Sequence, residues 1–244
     1  MEELFKLLTD PGPASFLNFK FLPKYAFYFM QGVGYTLLLS VASVLLAIIP
    51  ALVLALMRLS KNRLIRSLSG AYISIFRSTP LLVQLSIIYF GLFYLIQIPP
   101  VLFLGFIPLD KFIPFIVALA LNSAAYVAEI IRAGILAVDI GQTEAARSLG
   151  LGSWMSMRLV VLPQAIKNIL PALANEIVTM VKESSICSSY GMMELMWAAK
   201  TVAGTTHISI GPYIFVALIY FCINFPAEKC IEALERRMRR GDKR

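Results

Sequence analysis

Residues 35–57 read YTLLLSVASVLLAIIPALVLALM, and this stretch decides the fold class. It contains no charged side chain, and no charged residue lies anywhere between Lys24 and Arg58. An α-helix rises ~1.5 Å per residue, so about 20 apolar residues cross the hydrocarbon core of a bilayer. The stretch is therefore predicted to form a transmembrane helix.

The composition of the whole chain agrees with a membrane protein. Hydrophobic residues make up 59% of the 244 residues and charged residues 15%, whereas soluble domains carry roughly 45–50% and about 25%. The net charge of +8 would fit a nucleic-acid partner, anionic lipid or the basic cytoplasmic loops of a membrane protein. Because the basic residues flank apolar stretches, membrane lipid is the expected surrounding and no nucleic-acid partner is expected.

The cysteine and histidine content gives no sign of a metal site. Cys187, Cys222 and Cys230 have no C-x-x-C spacing and lie in or beside apolar stretches, so neither a disulfide framework nor a zinc site is indicated. His207 is the single histidine and has no metal-ligand partner nearby in the sequence. The N-terminal segment lacks a basic region leading into a short apolar core, so no signal peptide is expected.

Five transmembrane helices are predicted, over about residues 35–57, 80–97, 112–136, 166–190 and 211–227. Prolines and glycines interrupt the later half of the second apolar run, which places a loop there. The fourth helix contains Glu176, Lys182 and Glu183, so its hydropathy signal is weak. The charged residues from Glu228 onward are expected to be solvated. The chain is interpreted as one all-α integral membrane domain over residues 1–244, with a long loop at about residues 137–165.

Lysine and arginine are distributed unevenly between the two sets of loops. Sixteen of them lie in the set that contains the 137–165 loop and the C-terminal tail, and five lie in the other set. Cytoplasmic loops of membrane proteins carry the excess of basic residues. The C-terminus and the 137–165 loop are therefore predicted to be cytoplasmic, and the N-terminus to be outside.

The long loop carries a motif that fits two short helices. Residues 144–150 read EAARSLG, and residues 160–163, which read VVLP, follow after a gap of nine residues. The small alanines allow close packing, while Gly150 and Gly152 can end one helix and Ser153 can cap the next. Trp154 and its apolar neighbours would give the second helix a contact surface. A helix–turn–helix between two spans could also show this pattern by chance.

The motif resembles the EAA loop of permease subunits of ATP-binding-cassette (ABC) importers, in which the helix after the glycine docks into a groove of the ATPase. The runs 34–37, 75–84 and 122–132 resemble the permeases of polar amino-acid importers, and the likeness covers about residues 30–235. The resemblance implies the type I ABC importer permease fold. It assigns ATPase coupling to Glu144, Ala145, Ala146, Gly150, Ser153, Trp154, Leu162 and Pro163.

The resemblance also implies the partners and the location of the chain. They are a second permease subunit, identical or homologous, two ATPase subunits and an extracytoplasmic substrate-binding protein, all at the bacterial cytoplasmic membrane. The phosphate-binding pattern G-x-x-x-x-G-K-[ST] is absent from the sequence. ATP and Mg²⁺ are therefore expected in the partner ATPase, no cofactor is expected in this chain, and the chain is expected to be a transport subunit and not an enzyme.

The fourth predicted span carries the argument about the substrate. Glu176 and Glu183 are seven residues apart, almost two helical turns, so both carboxylates lie on one face. An ionised group at membrane depth costs about 2.5–3.5 kcal/mol on insertion scales and usually faces a bundle interior or an aqueous cavity. An acid at both positions resembles permeases for basic amino acids such as arginine, lysine or histidine, and two carboxylates attract a cation. Asn175, Asn122 and Gln84 are further candidates for substrate contact.

Other interpretations stay open at this point. Lys182 could neutralise Glu183, Glu176 could lie in solvent at the membrane interface, and the substrate could be a neutral polar amino acid such as glutamine or cystine. An intramembrane hydrolase would need a nucleophile–base pair, for which only Ser185 near Lys182 is available. A secondary carrier would need internal repeats with broken helices, and no repeat is visible.

Overall fold

The computed structural model describes residues 18–96, 98–103 and 107–239. Residues 1–17, the end of the predicted second span at Gln97 and the last five residues of the tail lie outside the described residues. The described part is helical apart from a two-stranded hairpin, so the all-α prediction is confirmed.

The helices are numbered in chain order. They are α1 (Leu22–Leu59), α2 (Arg63–Ser78), α3 (Leu81–Ile87), α4 (Phe93–Leu95), α5 (Leu109–Leu136), α6 (Ile140–Ser148), α7 (Ser153–Ser156), α8 (Leu162–Glu183), α9 (Leu195–Thr206) and α10 (Gly211–Arg239). A π-helical turn, Ile88–Leu92, joins α3 to α4, and a second, Met157–Val161, joins α7 to α8. Strands β1 (Leu102–Phe103) and β2 (Ile107–Pro108) pair antiparallel within the predicted loop. A 3₁₀ segment, Ser184–Tyr190, follows α8.

Within the described residues, α1, α5 and α10 are long and apolar enough to cross a membrane. The pair Arg63–Ser78 and Leu81–Leu95 passes the same test only when joined, and it is bent by 110°. Helix α8 forms where the fourth span was predicted, but it is not in this set, since it carries both charged and uncharged polar residues. The count of five spans therefore remains a prediction.

The bend between α2 and α3 has a local cause in the sequence. Proline has no N–H and disfavours the helical conformation of the residue before it. Thr79 accordingly has an extended backbone with φ −110° and ψ 143°, and Pro80 with φ −61° and ψ 136° precedes α3. The helical residues 81–95 lie within the predicted second span at about 80–97, while the amphipathic helix α2 before the bend was not predicted.

Small residues hold the centre of the bundle together. Ala47, Ala51 and Ala55 line one face of α1 and are fully buried. They pack with a second set of buried alanines on α5, namely Ala120, Ala124, Ala125 and Ala128. Small side chains let two helix backbones approach closely, which is the main way that helices associate in lipid. This seam fixes α5 against α1, and α5 in turn packs against α8.

Three predicted boundaries are corrected by the structure. Helix α1 begins at Leu22 and not near residue 35, because its aromatic first part packs on α9 and α10 through Phe29, Leu195 and Val216. Helix α9 lies in a region that was predicted as a loop. The tail is helical to Arg239, since charges three and four residues apart pair along α10: Lys229 with Glu232 at 2.9 Å and Arg236 with Glu232 at 3.6 Å.

Candidate functional site

Glu176 lies inside the helical bundle, where α8 faces α5. Its side chain is 8% exposed, and Ser123 of α5 donates a hydrogen bond of 2.8 Å to its Oε1. Ser123 is itself fully buried. A carboxylate in this position is not a solvated group at the edge of the protein, so that alternative for Glu176 does not fit the structure. The residue beside Ser123 in the sequence, Asn122, belongs to a second polar contact.

Gln84 and Asn122 form a buried polar pair next to the bend. Asn122 donates to Gln84 Oε1 at 2.8 Å, and Gln84 Nε2 donates to the carbonyls of Phe76 and Thr79 at 2.7 and 2.9 Å. It also lies 2.8 Å from the Thr79 hydroxyl. Pro80 leaves carbonyls without helical partners, and an unpaired buried carbonyl costs free energy. The Gln84 amide satisfies them and ties the bend to α5.

Glu183 and Asn175 are placed differently from Glu176. Glu183 is half-buried at the last residue of α8, while Asn175 is exposed and lines a cavity of about 620 Å³ between α5, α8 and α10. Lys182 Nζ lies 3.8 Å from Glu228 Oε1, so Lys182 forms an ion pair with α10. The five predicted substrate residues thus do not converge on one point within this chain.

Two residues of this site were not singled out from the sequence. Ser123 lies beside Asn122 in a run that was recognised, and Thr79 lies beside Pro80 at the break. A polar residue next to a predicted site residue, or next to a helix-breaking proline, is the signal that would have found them.

The Ser185–Lys182 pair does not have the geometry of a nucleophile and its base. The Ser185 hydroxyl donates 2.7 Å to the Lys182 carbonyl, and the Lys182 ammonium is turned to Glu228. A nucleophile and base must be within hydrogen-bond reach of each other through their reacting atoms. Within the described residues, no group of three or more His, Cys, Asp or Glu could hold a metal ion.

The predicted coupling segment folds as two short helices with a glycine turn between them. Asp139 caps α6 by accepting from the Gly141 N–H at 2.6 Å. At its end, Gly150 donates to the Arg147 carbonyl and Leu151 to the Ala146 carbonyl, at 3.0 and 3.2 Å. This is the Schellman pattern, and it needs a residue with positive φ. Gly150 supplies it with φ 85°.

The second helix of the segment exposes apolar side chains. Helix α7 begins at Ser153, but its N-cap is Gly152 and no side chain caps it, so the prediction of Ser153 as a cap is wrong. The Ser156 hydroxyl instead donates to the Leu151 and Gly152 carbonyls. Trp154 is 73% exposed, and further large apolar side chains of the segment and its ends are exposed: Ile140, Leu149, Met155, Leu159 and Leu162. We call this set the apolar coupling surface.

Pro163 and the EAA residues fix the segment to the bundle. Pro163 has no N–H for the Leu159 carbonyl, which fits the widened π turn that precedes α8. Glu144 and Ala145 are exposed, whereas Ala146 is buried. Gln164 of α8 donates a hydrogen bond of 3.3 Å from its Nε2 to Gln142 Oε1 of α6. The predicted coupling residues therefore form one unit that continues directly into α8, the helix that carries Glu176.

The family of this chain follows from its similarity to known proteins. Residues 43–240 match the family described as binding-protein-dependent transport system inner membrane component. The chain belongs to this family. Its resemblance to permease subunits of ABC importers is thereby confirmed, as is the prediction of a multi-pass membrane protein that acts as a transport subunit.

Individual relatives of this permease cover almost the whole chain. It is 44% identical over 207 residues to a permease named for glutamine transport in Rickettsia bellii, which covers 84% of this chain and 89% of the relative. It is 40% identical over 215 residues to the arginine transport system permease protein ArtQ of Bacillus subtilis, covering 88% and 94%. A crystal structure of an amino acid ABC transporter with histidines superposes with a TM-score of 0.79 at 44% identity, covering 88% and 96%.

Proposed function

We propose that this permease moves a polar amino acid with a cationic side chain into the cytoplasm. The observation that carries the proposal is the buried carboxylate of Glu176, with a second acid, Glu183, seven residues further along α8. Two carboxylates on one helix attract an ammonium or guanidinium and repel an anionic amino acid. The names of the relatives, which include an arginine permease, support the amino-acid class.

In this proposal the five predicted residues have different roles. Glu176 and Glu183 contact the cation, and Asn175 contacts the substrate from the open face of α8. Gln84 and Asn122 contribute from the bend, where their hydrogen bonds hold α3 and α5 in register beside Ser123. Because one chain encloses no pathway alone, the transport route forms with a second permease subunit.

The driving force comes from two ATPase subunits, with delivery by an extracytoplasmic substrate-binding protein. The apolar coupling surface around Trp154 supports this part, since exposed apolar patches of this kind mark sites of protein contact. Closure of the ATPases on ATP moves α7, which is continuous with α8. That movement shifts the two bundles between outward-facing and inward-facing packings.

A second candidate substrate is glutamine. The relative at 44% identity is named for glutamine transport, and the hydrogen bond from Ser123 gives Glu176 a partner without any cation. In this alternative Glu176 positions α8 against α5 and does not contact the substrate.

The test is uptake by the complete importer in proteoliposomes that contain ATP. Arginine, lysine and glutamine are compared as labelled substrates, with ATP omitted as the control. The proposal expects ATP-dependent uptake in which the two cationic amino acids exceed glutamine. Uptake of glutamine in excess of both would favour the second candidate, and uptake without ATP would contradict the coupling to ATPases.

A further inference from the structure

Three arginines and one glutamate surround a cavity of about 400 Å³ where the end of α1 meets α2 and the last part of α5. The arginines are Arg58, Arg77 and Arg132, and the glutamate is Glu129. We call this set the arginine pocket. It is separate from the cavity that Asn175 lines, since the two linings share no residue.

The charges of the arginine pocket do not balance. Glu129 Oε2 accepts from Arg132 Nε at 3.1 Å, while Glu129 Oε1 is 3.9 Å from Arg58 Nε, beyond hydrogen-bond distance. One carboxylate therefore has to neutralise the charge of three guanidinium groups. Arg58 Nε is buried and has no hydrogen-bond acceptor within the described residues, and a buried donor without a partner is destabilising. The site therefore lacks negative charge and at least one acceptor.

The guanidinium groups are held in place by contacts that leave donors available. A Cβ at Gly70 would lie 3.0 Å from Arg58 Nη1, so the glycine allows Arg58 to lie flat along α2. Arg77 Cζ lies 5.5 Å from the centre of the Tyr126 ring. Contact with an aromatic face leaves the N–H edge of a guanidinium free for an acceptor. Arginines arranged in this way match the oxygens of a phosphate group.

Helix α2 indicates where such a phosphate would come from. Its first turns carry Arg63 and Arg66, and its outer face exposes Leu64, Leu68 and Ile75. A basic amphipathic helix of this type lies in the membrane interface, with apolar side chains in the acyl region and cations at the phosphates. The arginine pocket is next to this helix, since Gly70, Ile73 and Arg77 of α2 line it.

We propose that the arginine pocket binds the phosphate of an anionic phospholipid headgroup. The headgroup supplies an acceptor for the buried Arg58 Nε and further acceptors for the exposed Arg77, and it joins the ends of α1, α2 and α5. A soluble phosphate compound offers the same chemistry, and the experiment distinguishes the two sources.

The test measures binding to the full-length permease purified in detergent. The ligands are dioctanoyl phosphatidylglycerol, dioctanoyl phosphatidylcholine and inorganic phosphate, titrated by thermophoresis at low salt. Arg77→Gln and Arg58→Gln are compared with Arg237→Gln, which removes an exposed charge from α10. We expect phosphatidylglycerol to bind more tightly than phosphatidylcholine, and both pocket variants to weaken it at least about tenfold while Arg237→Gln has no effect.

Each other outcome has a defined meaning. Inorganic phosphate that binds at lower concentrations than the lipid, and is lost in the same two variants, supports the phosphate site and overturns the lipid as its occupant. Equal lipid binding by Arg77→Gln, Arg58→Gln and Arg237→Gln overturns the site. Thermal unfolding of each variant is recorded, so that Arg77→Gln alone decides the matter should Arg58→Gln fail to fold.

Discussion

Replacement of Gly150 by alanine tests whether the geometry of the coupling segment transmits ATP hydrolysis. Gly150 has φ 85°, and an L-residue in the left-handed region costs about 1–2 kcal/mol. No atom lies within 4 Å of the position that a Cβ would take, so this cost is purely conformational. At ~1.4 kcal/mol per tenfold change, this cost shifts the equilibrium between the Schellman turn and other backbone conformations about 5- to 30-fold away from the turn.

Gly150→Trp is the matched variant, because it carries the same backbone cost and adds only volume outside the chain. Receptor-stimulated ATPase activity of the reconstituted importer is the assay. We expect a partial loss for Gly150→Ala and a near-complete loss for Gly150→Trp, since the indole would extend toward the docked ATPase. Membrane insertion is checked for both. Wild-type stimulation with Gly150→Trp would refute the docking assignment, and equal losses in both variants would show that only the backbone matters.

Two further predictions concern packing and orientation. Gly32→Ala places a Cβ 2.9 Å from Leu195 Cα, so the free energy of unfolding of the detergent-solubilised protein should fall by about 1–3 kcal/mol. Gly34→Ala is the control, because no atom lies within 4 Å of its Cβ. Its free energy of unfolding should be unchanged or higher by up to ~1 kcal/mol. Equal thermal unfolding of the two variants would contradict the close contact of α1 with α9. Reporter fusions should give a cytoplasmic signal after Arg244 and an external signal at the N-terminus. The reverse result would overturn the orientation, and signals from the same side at both ends would overturn the five-span count.

Much of the fold could be predicted because lipid imposes a simple rule on sequence. A span must be apolar and about 20 residues long, so the centre of α1 and most of α5 could be predicted from the sequence. The turn at Gly150 was also predictable, because glycine adopts a positive φ without a Cβ clash and commonly ends a helix. These features depend on neighbouring residues alone.

The remaining features depend on contacts between distant residues, which no local pattern contains. The aromatic start of α1 is helical because it packs on α9, where Gly32 lies against Leu195. The two residues are far apart in the sequence. The partner of Lys182 was sought next to it in Glu183 but lies on α10 at Glu228. The link from Glu176 to Ser123 likewise joins two helices.

The most direct test of the account is substrate binding to the purified permease core without its receptor, comparing wild type with Glu176→Gln. The variant keeps the size of the side chain and its bond to Ser123 but removes the charge. Loss of a charge-assisted contact costs about 1–3 kcal/mol, so arginine binding should weaken about 5- to 150-fold while glutamine binding hardly changes. Glu183→Gln is measured alongside to compare the second acid. Equal affinity of wild type and Glu176→Gln for arginine would contradict the account.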